Sequence, residues 1–160
     1  MASIRVGMGY DVHKLVADRE LWLGGIRIES SLGLLGHSDA DVLIHALCDA
    51  LLGAANCRDI GYHFPDNDPK YKGADSKLLL AEVMTVIEKK GYVFGNADIT
   101  VCAETPKLSP YIEEMKSCLA SVMMTDVDNI SIKATTTEKL GFTGRREGIS
   151  AYATVLIEKK

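Results

Sequence analysis

What the 160-residue chain lacks narrows its chemistry first. It has no basic excess: 18 Lys and Arg stand against 22 Asp and Glu, a formal net charge of -4. A surface of that sign repels a nucleic-acid backbone, so no nucleic-acid partner is expected. It has no Cys-x-x-Cys pair. Cys48, Cys57, Cys102 and Cys118 are too dispersed for a thiolate zinc ribbon or a redox dithiol, and they read as free thiols of a reducing compartment. No run approaches the ~20 apolar residues of a membrane helix. The opening stretch MASIRVGMGYDVHK has no apolar segment behind a basic start, so no membrane contact and no secretory leader are expected, and the chain reads as cytoplasmic. It carries no Walker A motif, no Gly-x-Gly-x-x-Gly fingerprint, and neither a Ser-His-Asp nor a Cys-His arrangement. Internal repeats and low-complexity tracts are missing as well.

What is there is ordinary in bulk. Hydrophobic residues make up 47% and charged residues 25%, which fits a globular chain with one domain over residues 1–160. Strands are expected at 4–12, at 20–28 with a turn or bulge at Gly24-Gly25, at 92–104, at 130–136 and at 149–157. Three helices are expected. The first spans Asp39 to Ala55, with Ser38 or Asp39 as N-cap and Val42, Leu43, Ala46, Leu47, Ala50, Leu51 and Ala54 on its apolar face. The second runs from Asp75 to Lys90 and stops at Gly91. The third starts at Ser109-Pro110 and ends near Met124. Residues 58–73 and 138–148 read as loops. The fold class is α/β, an α+β two-layer sandwich with one sheet face packed on helices. The outer face of the last strand, with Ser150, Tyr152, Thr154 and Leu156, is too mixed to be plainly solvated and suggests a partner subunit.

Four constellations carry chemistry. Asp11 and His13 are two apart on a strand and so share a face. With His45 they make a two-His, one-carboxylate set, the ligand count of a catalytic zinc site with an open position. His37, at the start of the first helix, suits polarising a ligand oxygen or binding an anion. Asp41 reads more simply as a capping residue on a solvated face. The acidic loop with Asp59, Asp66 and Asp68 suits ligand hydroxyls, against the plainer reading of a solvated, turn-rich loop. The run from Thr135 through Thr136, Thr137 and Glu138 to Arg145 offers hydroxyls, a hard carboxylate and glycines, which suits a diphosphate bound with Mg²⁺. The alternative for the threonines is simple strand preference.

These motifs together resemble the 2-C-methyl-D-erythritol 2,4-cyclodiphosphate synthases of the non-mevalonate isoprenoid pathway. The resemblance rests on Gly-Tyr-Asp-Val-His at 9–13, His-Ser-Asp-Ala-Asp at 37–41, Asp-Ile-Gly at 59–61 and Phe-Pro-Asp at 64–66. It continues with Pro-Lys at 106–107 and Ala-Thr-Thr-Thr-Glu-Lys-Leu-Gly-Phe-Thr-Gly-Arg at 134–145. It implies that Asp11, His13 and His45 bind Zn²⁺ and that Glu138 binds a second divalent cation, Mg²⁺ or Mn²⁺. It also implies that His37 and Thr136 stabilise the transition state. Ala103, Glu104, Thr105, Pro106, Lys107, Leu108 and Ser109 would line a cytosine pocket. Ser38, Asp59, Ile60, Gly61, Phe64, Pro65, Asp66, Asn67 and Asp68 would hold the sugar-phosphate end, with Thr135, Thr137, Phe142 and Arg145 as further contacts. The implied assembly is a homotrimer whose four-stranded mixed sheets face inward and whose active sites lie between subunits. An isoprenoid diphosphate is a candidate occupant of its central cavity. The implied substrate is a cytidine diphosphate-linked small molecule, and the implied reaction releases CMP. A non-catalytic trimeric metal- or isoprenoid-binding module would keep Asp11, His13 and His45 but would not need Glu138 or the Pro106-Lys107 pocket. A zinc phosphohydrolase is a weaker third option.

Overall fold

The computed structural model describes residues 3–160. Strand β1 (Ile4–Val16) lies between a two-residue edge strand β4 (Gly33–Leu34) and the last strand, β7 (Gly148–Lys159). Beyond β7 come β5 (Tyr92–Cys102) and β6 (Ile130–Thr135), giving the order β4-β1-β7-β5-β6. All pairs are antiparallel except β5 with β6, which is parallel. The four long strands thus form the expected mixed sheet, and β4 adds a short edge. The expected strand at 20–28 is instead a separate hairpin, β2 (Leu21–Leu23) and β3 (Ile26–Ile28). Gly24 and Gly25 have φ of 60° and 79°, the left-handed conformation that a two-residue hairpin turn requires.

Three helices cover one face of the sheet: α1 (Val42–Ala54), α3 (Ser76–Lys89) and α4 (Ile112–Met123). Between α1 and α3, the 58–73 segment holds one helical turn, α2 (Ile60–His63), and a 3₁₀ turn at Pro69–Tyr71. A similar single turn, α5 (Gly141–Gly144), interrupts the loop before β7. The α1 helix begins at Val42 with Asp41 as its cap, rather than at Ser38 or Asp39. Nor is it simply amphipathic. Ile44, Cys48 and Leu52 are buried along with the expected stripe, because α1 lies between the sheet and α3. Ser109 opens a 3₁₀ turn with no side-chain cap, and the helix proper starts at Ile112. Lys89 ends α3, and Gly91 follows at φ 86° as the expected stop.

Two glycines set the spacing that the site depends on. A Cβ on Gly7 would lie 2.0 Å from the Ala50 carbonyl oxygen, and one on Gly9 would lie 1.9 Å from that of Ala46. With no side chain there, α1 lies directly on β1. The strand's period of two then turns Asp11 and His13 to the same face, toward the helix. The alternate residues Ile4, Val6, Met8, Tyr10 and Val12 point the other way and are exposed. On β7, Ile149, Ala151, Ala153, Val155 and Ile157 are all buried, as their alternation predicts.

Candidate metal centre and ligand clefts

His45 stands one turn into α1, opposite Asp11 and His13 on β1. Three atoms converge: Asp11 Oδ2 lies 2.9 Å from His13 Nε2 and 3.2 Å from His45 Nδ1, and the two ring nitrogens are 3.1 Å apart. A tetrahedral zinc with ordinary bond lengths spaces its ligand atoms about 3.3 Å apart, close to this triangle. The side chains are 27%, 19% and 11% exposed in the same order, so the group is sheltered but open on one side.

The far nitrogens are held outside the triangle. His13 Nδ1–H donates to the Leu35 carbonyl at 2.9 Å, which leaves Nε2 bare toward the triangle. His45 Nε2 lies 3.0 Å from Ser76 Oγ and 3.2 Å from Ser38 Oγ. With both rings neutral and their hydrogens on the far nitrogens, a carboxylate oxygen and two nitrogen lone pairs face one spot, which is the donor set of a cation site. In the metal-free chain, where ring protons rather than a cation face Asp11, burial pushes its carboxyl up, but hydrogen bonds and charge from His13 and His45 outweigh it and hold the group well below the usual carboxylate range. Burial acts to lower the His13 imidazole, yet Asp11 and the Leu35 carbonyl leave it raised. Among the described residues these three make the one set of His, Cys, Asp or Glu side chains close enough to hold a metal ion.

The triad opens into a cleft of about 380 Å³, which is also lined by His37, Ser38, Ile60, Gly61, Phe64 and Asp66 from the expected set. Gly36, Tyr71 and Leu79 line it too and had not been anticipated. His37 Nε2 lies 3.2 Å from the Asp68 carbonyl oxygen. Asp59 and Asp68 use carboxylate oxygens as caps: Asp59 accepts from Tyr62 N at 2.9 Å and Asp68 from Lys70 N at 2.9 Å. Together with Pro65 and Asn67 they stand outside the lining of the cleft. Asp41 is not on a solvated face. It is fully buried and accepts from the amides of Gly24, Gly25 and Ile44, and burial raises its carboxyl.

A second cleft of about 390 Å³ lies at the β5–β6 end, lined by Ala103, Glu104, Pro106, Lys107, Leu108, Ser109, Thr135 and Thr136. Thr105 is not among its lining residues. Glu104 Oε1 accepts from Thr137 N at 2.9 Å and from Lys139 N at 3.3 Å. It thereby holds the turn in which Glu138 and Lys139 adopt φ of 54° and 62°. The Thr137 hydroxyl donates to the Leu140 carbonyl at 2.7 Å. Thr137, Glu138, Phe142 and Arg145 line neither cleft, and Arg145 pairs with Glu147 at 2.9 Å. Within one chain the two clefts stay apart: β7 and β5 separate β1 from β6, which puts the outer strands about 14 Å apart.

With this geometry in view, comparison with known proteins is decisive: the model of the YgbB family matches residues 4–158. The chain belongs to the YgbB family. Relatives match nearly all of the chain. A 2-C-methyl-D-erythritol 2,4-cyclodiphosphate synthase of Parabacteroides distasonis is 71% identical over 157 residues, covering 98% of each chain. One of Porphyromonas gingivalis is 63% identical over 153 residues, covering 96% of this chain and 94% of that one. Among solved structures, IspF of Plasmodium falciparum in complex with CDP is 37% identical with a TM-score of 0.87, covering 99% of this chain and 97% of that one. The bifunctional IspDF of Campylobacter jejuni gives a TM-score of 0.97 at 42% identity, and this chain spans 43% of its length. The resemblance read from the motifs and the mixed α/β fold both hold. No helix among the described residues is long and apolar enough to cross a membrane.

Proposed function

We propose that this YgbB-family chain is a lyase that converts 4-diphosphocytidyl-2-C-methyl-D-erythritol 2-phosphate into 2-C-methyl-D-erythritol 2,4-cyclodiphosphate and CMP. The observation that carries this reading is the convergence of three lone-pair donors, Asp11 Oδ2, His13 Nε2 and His45 Nδ1, at the floor of a cleft. It is joined by relatives at up to 71% identity that are named as this synthase. The donor set of two imidazoles and one carboxylate suits Zn²⁺. Glu138 offers a single exposed carboxylate, which suits Mg²⁺ or Mn²⁺ shared with substrate phosphates. When bound, such cations polarise phosphoryl oxygens and offset their charge.

The reaction joins two ends of one substrate. An oxygen of the 2-phosphate bonds to the β-phosphorus, the bond to the α-phosphate breaks, and its electron pair leaves on CMP. The nucleophile is already an anion, so no general base is needed. The protein's work is to fold the substrate into attack geometry and to aim fixed donors at the phosphoryl oxygens. The first cleft, with Ile60, Gly61, Phe64 and Asp66, takes the methylerythritol end, and His37 and Ser38 face the phosphate. The second cleft takes the cytidine end between Ala103 and Ser109, with Lys107 and Thr136 toward the phosphates. The CDP-bound relatives support a cytidine diphosphate ligand.

The two clefts lie at opposite sides of one sheet, so we assign them to neighbouring subunits of a homotrimer. The exposed row Ile4, Val6, Met8, Tyr10 and Val12, flanked by Tyr152, is the face such an assembly would cover. The test is to incubate the purified chain with substrate, Mg²⁺ and zinc and to measure CMP. CMP with a cyclic diphosphate is expected. Inorganic phosphate in their place, or no CMP with the metal sites shown to be occupied, overturns the reading. His45→Ala is expected to lose its stoichiometric zinc, measured as metal content after dialysis.

A further inference from the structure

The start of α3 approaches the metal triad from behind. Ser76 is completely buried although it is polar, and it shares a helix face with Leu79, Leu80, Val83 and Ile87. Its hydroxyl lies between two groups: His45 Nε2 at 3.0 Å and Asp39 Oδ1 at 2.5 Å. The Ser76 amide donates to the other Asp39 oxygen at 2.9 Å, so the carboxylate grips the residue twice. Around this contact the 37–39 segment is laced to residues 73–76: Gly73 N donates to the His37 carbonyl at 2.7 Å and Asp39 N to that of Ala74 at 3.1 Å.

The proton count of this chain has one consistent solution. A carboxylate only accepts, so the Ser76 hydroxyl proton belongs to Asp39. The lone pairs left on Ser76 Oγ then face His45 Nε2, and that nitrogen must carry the hydrogen. In the neutral ring His45 Nδ1 is thereby left bare and aimed at Asp11 and His13. Ser38 Oγ, 3.2 Å from the same Nε2, already accepts from Ala40 N and has no carboxylate to take its proton, so it cannot impose this tautomer alone.

We infer that Ser76 and Asp39 are positioning residues for the metal centre: the Asp39 carboxylate orients the Ser76 hydroxyl, which locks His45 in the tautomer that presents Nδ1 to a bound divalent cation. This rests on the metal reading of the triad above. Outer partners of this kind orient a ligating imidazole and raise its basicity, and their loss commonly weakens metal binding about 10- to 100-fold.

The test uses the full chain stripped of metal, with zinc affinity measured by competition against a chromophoric chelator. Ser76→Ala is expected to weaken zinc binding by about 10-fold or more while circular dichroism and the melting temperature of the metal-free chain stay near wild type. Ser76→Thr keeps the hydroxyl and is expected to retain most of the affinity. Long-range ¹⁵N NMR of the His45 ring gives a readout that packing alone would not move: the metal-free wild type should show hydrogen on Nε2, and Ser76→Ala should show a mixture of tautomers. Equal zinc affinity in wild type and Ser76→Ala, or a wild-type His45 with hydrogen on Nδ1 and none on Nε2, overturns the inference while leaving the metal site standing. A wild-type chain that binds no zinc overturns both.

Discussion

Single residues show how much chemistry rests on where a polar group is buried. Asp41 sits two residues from Asp39 in the same short motif, yet its work is structural. It caps α1 through Ile44 N and clamps the β2–β3 turn through the amides of Gly24 and Gly25. Asp41→Ala removes a cap worth ~1 kcal/mol and strands two buried amides at ~1–3 kcal/mol each, so a loss of about 3 kcal/mol or more is expected in urea denaturation. A loss below about 1 kcal/mol would show that water or a neighbour replaces it. The sequence marked Asp41 as a cap but placed it on a solvated face, because capping is a local signal and the hairpin that covers it is not. Asp11 and His13 were legible for the opposite reason, since a strand's period of two suffices to put them on one face. Ser76 was not legible. An Asp-Ser pair at a helix start says only that a helix begins, and nothing local shows that His45, 31 residues earlier, ends 3.0 Å away.

Elements meet here at distances that small residues permit. Adding one methyl group at Gly9 would drive it into the Ala46 carbonyl and Ala50 amide, which are backbone atoms of α1 that cannot step aside singly. Gly9→Ala is therefore expected to lift α1 off β1, costing about 1–3 kcal/mol or more, and to separate His45 from Asp11 and His13. A lower melting temperature together with lost zinc stoichiometry checks this; retained zinc would show that the helix and strand shift as one body. At the other end of the sheet, Glu104 ties the end of β5 to the Thr137–Lys139 turn. The Thr137 amide is the main cause of its lowered carboxyl, followed by burial acting the other way and the Lys139 amide. A depressed carboxyl stabilises fully above its unfolded value of 4.5 and loses that contribution as pH falls through the folded one. Protection of the Thr137 and Lys139 amides from hydrogen exchange is thus expected to fade on acidification, and Glu104→Ala should abolish it already at neutral pH. Unchanged protection in that variant would mean that the turn holds itself. The long, strongly patterned elements, α3 and β7 above all, were readable within a residue or two because their periods persist. The hairpin at 21–28 and the single turns α2 and α5 were not, because each is shorter than the window over which a period can be told from chance.

At the scale of the whole molecule, a net charge of -4 and an anionic substrate are compatible because the attraction is local. On the proposed reading it comes from Lys107 in the second cleft and from the cations proposed for Asp11, His13, His45 and Glu138. Arg145 contributes less than its charge suggests, since Glu147 already pairs with it. Many of the residues that line the clefts were legible in the sequence, while Gly36, Tyr71 and Leu79 were not; what the order of strands adds is that β7 and β5 stand between the clefts. In the homotrimer proposed above, a substrate that needs both clefts is served by two chains, which would meet along the exposed apolar row on β1. This has a sharp consequence in mixtures. A chain with His45→Ala keeps its second cleft intact, and a chain with Glu138→Ala keeps its first. Each variant alone should form no CMP. Unfolded and reassembled together in equal amounts, they place an intact first cleft beside an intact second cleft at about one interface in four, so about a quarter of the wild-type rate should return. If each active site were built within a single chain, every site in the mixture would carry one lesion, and the rate would stay at the background of the separate variants.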